Sequence, residues 1–235
     1  MNAKSILPAT IAVISLLLGA RVGFAQGAAD NAQRVAALKQ SLQHDQANLR
    51  HYEWIETTTM SLKGEEKSKK QSRCYYSEDG KLQKVEMNAT AAKAPGGLRG
   101  RVAANKKEEL QEYMQKAAGV VKSYVPPDPA RIQAVADSGK MSVHILEPGK
   151  RVRLDFKDYR MPGDVLGVEM DLTSNRILAV HVNSYVDTPS DPLTMEVHFA
   201  TMQDGTGHAA KTVLDVKAKE VKVVTENSGY RKMAQ

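Results

Sequence analysis

The segment RVRLDFKDYRMPGDVLGVEMDLTSNRILAVHVNSYVDTPSDPLTMEVHFA, residues 151–200, decides the fold of this chain. Apolar and polar residues alternate in four successive runs, whose apolar members begin at Val152, Leu166, Leu178 and Leu193. Successive side chains of a β-strand point to opposite faces, so each run places its apolar residues on one side. We therefore expect four consecutive antiparallel strands with one shared apolar face, which other elements must cover.

Turn residues extend this pattern over residues 141–233. Ser174-Asn175 and Asp204-Gly205 are typical of tight turns between strands. Two more runs with strand character follow at 208–216 and 221–226. We predict about seven strands in this half of the chain.

The N-terminal half begins with a helical pattern followed by a second group of strands. Residues 28–50 carry apolar residues at helical spacing, which predicts an amphipathic helix. Residues 51–62 alternate as a strand and place Trp54 on the apolar face. Two further strands, at 67–76 and 81–87, complete a predicted meander, and Asp79-Gly80 is typical of the turn between them.

A glycine- and alanine-rich segment and two helical patterns separate the two groups of strands. Residues 88–101 predict a flexible basic loop, because they contain Ala94-Pro95-Gly96-Gly97. Residues 103–124 have the clearest helical periodicity of the chain, and Asp128-Pro129 is typical of the start of a short helix. Strands on both sides of a helical block favour an α+β fold: a curved, mainly antiparallel sheet, similar to a half-barrel, covered by about three helices.

Residues 1–25 are typical of a secretory signal peptide. A lysine precedes an uncharged, mostly apolar run at 6–20, and small residues precede a cleavage site before Gln26. This run is shorter than the roughly 20 residues of a membrane-spanning helix, and an uncleaved anchor is the alternative. We expect a soluble periplasmic or secreted protein with residues 26–235 in one domain. Cys74 is the only cysteine, so no intramolecular disulfide forms, and we expect a structural role for it.

Basic residues are concentrated between Lys63 and Lys107, where 12 basic residues face 5 acidic ones. This excess predicts a surface that binds an acidic protein or an anionic envelope polysaccharide, and a solvated strand face is the alternative. The residues that we expect on this surface are Lys67, Lys69, Lys70, Arg73, Arg99 and Arg101.

No motif in the sequence predicts catalysis. The six histidines show no zinc-helix spacing, the carboxylates near Asp155 lie on separate turns and strand exteriors, and no GxSxG sequence is present. We therefore expect no metal, no cofactor, no nucleic-acid partner and no enzymatic activity. A hydrolase whose catalytic groups are dispersed along the chain is the alternative.

The order of elements resembles that of the LolA-type lipoprotein-carrier and RseB-like half-barrel group. The sequence FATMQDGT at 199–206 and the run that ends in NSGYRK at 227–232 are similar to the closing strands of distant members. This chain departs from that group by placing its helical block after three strands and by its basic loop at 88–101. We transfer no binding residue from the group, because no position matches one.

The resemblance implies an apolar cavity between sheet and helices that holds acyl chains; a closed core made of the same residues is the alternative. The hypothesis is thus an exported, non-enzymatic envelope protein that binds a lipid or lipoprotein acyl chain. A protein–protein or polysaccharide module that uses the basic 63–107 surface is the second hypothesis. Candidate ligand-binding residues on the apolar faces are Trp54, Leu154, Phe156, Val168, Val180 and Phe199.

Overall fold

The computed structural model describes residues 22–91 and 98–233, and the side chains of residues 30–87 and 108–233. The described chain divides into two units between Arg34 and Val35. Nearly all of the predicted signal peptide lies outside the described residues. Among the described helices, none combines the length and the hydropathy of a membrane-crossing segment.

Three helices are present, as the sequence predicts. They are α1 (Val22–Leu49), α2 (Leu98–Lys122) and α3 (Pro129–Asp137). The predicted start of α3 is confirmed, because the side chain of Asp128 accepts the backbone N–H of Ala130 and Pro129 follows the cap.

Ten strands form one antiparallel sheet in the order β3-β2-β1-β10-β9-β8-β7-β6-β5-β4. In this described sheet, every strand pairs with the strand before or after it in the chain, except where β1 pairs with β10. That pairing joins a three-stranded meander, β1–β3, to a seven-stranded one, β4–β10. This open, curved sheet with three helices confirms the predicted α+β class. The strands are β1 (Tyr52–Leu62), β2 (Glu65–Tyr76), β3 (Leu82–Ala91), β4 (Met141–Glu147), β5 (Arg151–Lys157), β6 (Val165–Asp171), β7 (Arg176–Tyr185), β8 (Pro192–Thr201), β9 (Gly207–Val216) and β10 (Val221–Lys232).

The predicted boundaries of the loop at 88–101 are wrong at both ends. Residues 88–91 belong to β3, because backbone pairing with β2 continues past a bulge until Ala91 lies opposite Ser68. Residues 98–101 belong to α2, whose Leu, Arg and Ala residues favour a helix. Residues 92–97 lie outside the described residues.

The core of residues 35–235 lies between the helices and one face of β5–β9. Apolar side chains on alternate positions of these strands meet apolar residues from all three helical segments. The predicted alternation thus produces one buried face, as expected. The largest fully buried side chains are Tyr124, Tyr159, Phe156, Leu38, Ile132, Leu154, Leu166, Met170, Leu193, Val152, Val168 and Val180.

A β-bulge in β7 changes which residue faces the core at the start of this strand. Glu169 pairs with Ala179, but the next residue of β6 pairs with Ile177, so Leu178 is the extra residue. The bulge turns Ile177 into the core with 6% exposure, and Leu178, which the simple alternation predicts there, is half-buried.

Candidate binding site

Five of the predicted ligand-binding residues come together in the core. Leu154, Phe156, Val168 and Val180 are fully buried on β5, β6 and β7, and Phe199 on β8 packs against them while half-buried. They form one continuous apolar surface, which we call the sheet floor.

The sheet floor is covered directly by side chains of the helices. Leu38 of α1, Ala117 of α2 and Ile132 of α3 are fully buried in the same cluster. Two clefts at the surface of the described part of the chain lie elsewhere. Buried side chains of the sheet and the helices meet in one cluster, as in the closed-core alternative.

Helix α2 is held to the rest of the protein by two kinds of polar contact. At its C-terminal end the phenol of Tyr124 donates to the buried Asp164, and its oxygen lies 2.9 Å from the Ser184 hydroxyl. We call these three residues the α2 anchor. Burial, reinforced by Asp164, raises the pKa of Tyr124 well above its usual value, so the phenol stays protonated as the donor.

About two to three turns earlier, the contacts of α2 lie closer to the surface. The Tyr113 phenol donates to Asp191 at 2.5 Å, and the Lys116 ammonium lies 2.9 Å from Asp187. The Lys116 and Asp187 side chains are more than half exposed, so this ion pair contributes little to stability. We call these two pairs the α2 rim contacts.

The face of α2 between these contacts is apolar and incompletely buried. Tyr113, Met114, Val120 and Val121 are partly buried and pack against the core, whereas Ala117 is fully buried. Methionine adapts to neighbours of variable shape because it is unbranched and flexible. Helix α2 therefore combines a firm buried anchor with a weakly held middle segment.

Trp54 lies in a different cluster from the other predicted binding residues. Its ring stacks on Tyr230 with centroids 5.4 Å apart, and it faces Cys74 on the neighbouring strand. Tyr76 lies 5.9 Å from Trp54, and His208 lies 4.1 Å from Tyr230. We call these five residues the aromatic cluster. Burial raises the pKa of Cys74 to about 11, which agrees with an unreactive structural thiol.

The aromatic cluster also collects buried polar atoms. Among the described residues, five buried side-chain atoms have no hydrogen-bond partner, and three belong to this region: Trp54 Nε1, His208 Nδ1 and Asn227 Oδ1. Burial lowers the pKa of His208, so the imidazole is neutral at neutral pH. The aromatic cluster thus contains buried polar atoms, whereas the sheet floor is made of apolar side chains.

Two surface clefts are lined mostly by polar residues. One, of about 290 Å³, is lined by Asn48, His51, Tyr52, Asp204, Lys232 and Met233. Its Tyr52 phenol donates to Asp204 at 2.5 Å, and this bond, helped by backbone and Lys232 contacts, holds the pKa of Asp204 far below its usual value. A carboxylate fixed in its charged form accepts hydrogen bonds but is a poor proton donor. The second cleft lies between α3 and the Asp158–Tyr159 turn.

The basic residues predicted to form one surface do not all lie on the same face of the sheet. Lys69 and Lys70 are adjacent on β2, so they point to opposite faces of the sheet. Lys67 pairs with Glu65 at 2.5 Å, Lys70 with Glu86 at 3.5 Å, and Arg73 with Glu53 at 3.9 Å. Arg99 and Arg101 lie in α2, outside the part of the chain whose side chains are described.

Two histidines lie close to carboxylates on the polar face of the seven-stranded meander. His181 approaches Glu169 at 3.0 Å, and Glu196 lies between His181 and His198 at 3.9 and 3.1 Å. The two histidines are thus close to each other across the sheet. Among the described residues, no group of three or more ligands is arranged to hold a metal ion.

Sequence reasoning missed the α2 anchor. Tyr124 ends the apolar side of the helix predicted at 103–124, but Asp164 follows a Pro-Gly turn, which indicates an ordinary surface position. Only the folded chain brings them together, 40 residues apart in sequence.

Comparison with solved structures finds several proteins to which this chain is similar. A LolA superfamily protein from Nitrosomonas europaea matches with 9% identity and a TM-score of 0.38, over 83% of this chain and 94% of that chain. A DUF1329 family protein from Desulfovibrio piger matches with 10% identity and a TM-score of 0.41, over 84% and 92%. A domain from Vibrio parahaemolyticus assigned to outer membrane lipoprotein sorting matches with 11% identity and a TM-score of 0.37, over 83% and 92%.

These matches confirm the resemblance noted in the sequence, and they concern the fold alone. No family model matches the sequence, and neither does any curated protein. The function must therefore be argued from the residues of this chain.

Proposed function

We propose that this chain is an exported, non-enzymatic protein that binds an acyl chain of a lipid or lipoprotein between α2 and the sheet floor. The observation that carries this proposal is the asymmetry of α2: the residues at its C-terminal end are anchored by buried hydrogen bonds, whereas of its two rim contacts the Tyr113 bond is only partly buried and the Lys116 ion pair is exposed. An acyl chain enters when the middle of α2 lifts and the α2 anchor stays in place.

The energetics of such an exchange are favourable for an apolar ligand. Lifting α2 exposes the sheet floor and the apolar face that carries Met114, Val120 and Val121. An acyl chain covers both surfaces again, and each buried methylene contributes about 0.8 kcal/mol. The rim contacts that open cost little, because the ion pair between Lys116 and Asp187 is largely solvated.

The aromatic cluster is outside the proposed acyl site. Trp54 was a candidate ligand residue, but its partners are Tyr230, Tyr76 and Cys74 rather than the sheet floor. We therefore propose Leu154, Phe156, Val168, Val180 and Phe199 as the sheet side of the site.

The second hypothesis, binding of an acidic partner through the 63–107 surface, has weaker support. Three of its basic side chains already have carboxylate partners within this chain, and neighbouring lysines on β2 point to opposite faces. Export to the periplasm or to the outside of the cell, through the predicted signal at 1–25, belongs to the proposal.

The experiment cross-links α2 to the connection between β7 and β8, which carries Asp187. In a Cys74→Ala background, Lys116→Cys and Asp187→Cys are joined by a short bismaleimide, and binding of the fluorescent fatty acid cis-parinaric acid is titrated. We expect binding by the uncross-linked double variant and at least a tenfold loss after cross-linking.

The matched control joins cysteines at Gln133 and Lys39, which link α3 to α1 and leave α2 free. Cross-linking there should leave binding unchanged. Failure of the uncross-linked protein to bind the fatty acid, together with native mass spectra of membrane-purified protein without any lipid adduct, would refute the acyl-binding function.

A further inference from the structure

Large exposed apolar residues of the described chain are confined to the two edge strands of the sheet. Leu82, Val85 and Met87 lie on β3 with 42%, 46% and 54% exposure, and Ile145 and Leu146 lie on β4. Edge strands present unpaired backbone groups, and natural proteins usually protect them with charges or bulges. An edge that combines free backbone with apolar side chains is therefore suited to pairing with another strand.

Strand β3 carries opposite charges on both sides of one of its exposed apolar residues, Val85. Lys84 and Glu86 flank Val85, and in this described sheet β3 has a neighbour on one side only, β2. Lys84 and Glu86 lie on one face of the strand, and Val85 lies on the other.

We propose that β3 pairs antiparallel with β3 of a second copy of this chain, with Val85 opposite Val85 of the second copy. In this register Lys84 of each copy lies opposite Glu86 of the other, so the two-fold axis produces the charge pair twice. Opposite charges placed directly across an antiparallel pair are stabilising. The contact uses the same surface on both copies and closes as a dimer.

The neighbouring registers are unfavourable. Centring the two-fold axis on Lys84 places two lysines opposite each other, and centring it on Glu86 does the same with two glutamates. Like charges directly opposite are destabilising. Registers centred further along the strand leave Lys84 and Glu86 opposite uncharged residues. The sequence of β3 thus selects one register.

Charges within each copy continue the alternation across the contact. The Lys84 ammonium lies 2.7 Å from both carboxylate oxygens of Glu56, and Lys70 lies 3.5 Å from Glu86. In the dimer these charges follow in the order Glu56, Lys84, Glu86 of the second copy, Lys70 of the second copy. Glu86 of each copy therefore has a basic neighbour on both sides.

The other edge fits a second copy less well. Strand β4 spans Met141–Glu147 and is shorter than β3. Each of the two strands carries one bulge, at Met87 in β3 and between Ile145 and Glu147 in β4, so the difference between the edges is one of length and charge pattern. Pairing of β3 with β4 of another copy uses different surfaces on the two copies, so it leads to open-ended assembly rather than to a dimer.

The test is sedimentation velocity of the purified chain from about 1 to about 300 µM, a range that covers a weak dimer. We expect a monomer–dimer equilibrium. Lys84→Glu or Glu86→Lys alone should weaken dimerisation at least about tenfold, because each converts two attractive pairs into two repulsive ones. The double exchange Lys84→Glu with Glu86→Lys should restore the dimer to within about threefold, with thermal melts confirming that each variant folds.

Matched lysine substitutions distinguish the two edges. Val85→Lys should give a monomer, and Ile145→Lys, at an exposed apolar position on β4, should leave the dimer intact. A chain that is monomeric at every concentration overturns the proposal. So does loss of association in Ile145→Lys, or assembly that keeps growing with concentration, which would show pairing through β4.

Discussion

The phenol of Tyr124 donates a hydrogen bond to Asp164, an acid with only 1% exposure. The same carboxylate oxygen accepts the backbone N–H groups of Arg160 and Met161 at 2.9 and 2.8 Å. A buried carboxylate is stable only when hydrogen bonds replace its hydration. This arrangement ties the C-terminal end of α2 to the connection between β5 and β6, and it fixes the end about which α2 moves in the proposed function.

Substitution Tyr124→Phe tests the strength of this tie. It removes one donor from Asp164 and leaves the rest of the ring in place, so we expect a loss of about 1–3 kcal/mol of unfolding free energy. Urea denaturation followed by circular dichroism measures it.

The matched control is Tyr113→Phe, which removes the hydrogen bond to Asp191 at the partly buried rim. There the carboxylate that is left behind can be hydrated, so we expect a loss of only about 0.5–1.5 kcal/mol. Equal losses for the two variants would contradict the distinction between a buried anchor and a weakly held rim.

The periodicity of the sequence predicted most of the fold. Alternation fixed which residues of β5, β6 and β8 face the core, since a strand has no freedom to turn a side chain to the other face. The helices followed from their own spacing and from the Asp128 cap. The predictions that failed were local: the bulge at Leu178 and the extent of β3 depend on pairing with neighbouring strands, which single-strand periodicity does not contain.

The candidate site was less predictable than the fold. Apolar alternation predicts that Leu154 and Trp54 both face inward, but it cannot tell which inward residues share one cluster. That depends on the pairing of β1 with β10, which separates Trp54 from the sheet floor. The state of the interior, closed or open, depends on how α2 packs, and the sequence has no signal for the contact between Tyr124 and Asp164.

Two glycines should respond oppositely to the same substitution. A methyl group at Gly167 on β6 would lie 2.9 Å from Asp155 Oδ1, whereas Gly119 within α2 has open space at that position. We expect Gly167→Ala to destabilise by about 1–3 kcal/mol through overpacking. Gly119→Ala should stabilise by about 0.5–1 kcal/mol, because alanine restricts the unfolded chain and favours the helix.

Thermal unfolding of both variants checks this pair. The carboxylate of Asp155 also holds His144 and Arg153, each at 3.0 Å, so it cannot move away without losing these ion pairs. An unchanged melting temperature for Gly167→Ala would show that Asp155 rearranges freely.

His208 should make the stability of the protein depend on pH. Burial lowers its pKa in the folded state below the ordinary value of 6.5, so below about pH 6.5 the unfolded chain binds a proton that the folded protein does not. The linkage relation then requires that unfolding free energy rises with pH in this range. The contribution is fully present above pH 6.5 and is lost as the pH falls through the folded pKa.

The variant His208→Phe isolates this effect, because phenylalanine keeps the ring contact with Tyr230, whose centroid lies 4.1 Å away, and cannot be protonated. We expect wild type to lose more stability than His208→Phe when urea denaturation is repeated at about pH 8 and about pH 5.5. Exposed histidines such as His198 contribute equally to both proteins, so they cancel in the difference. If the two proteins lose stability in parallel, His208 is accessible to protons in the folded state, and its place in a buried aromatic cluster is wrong.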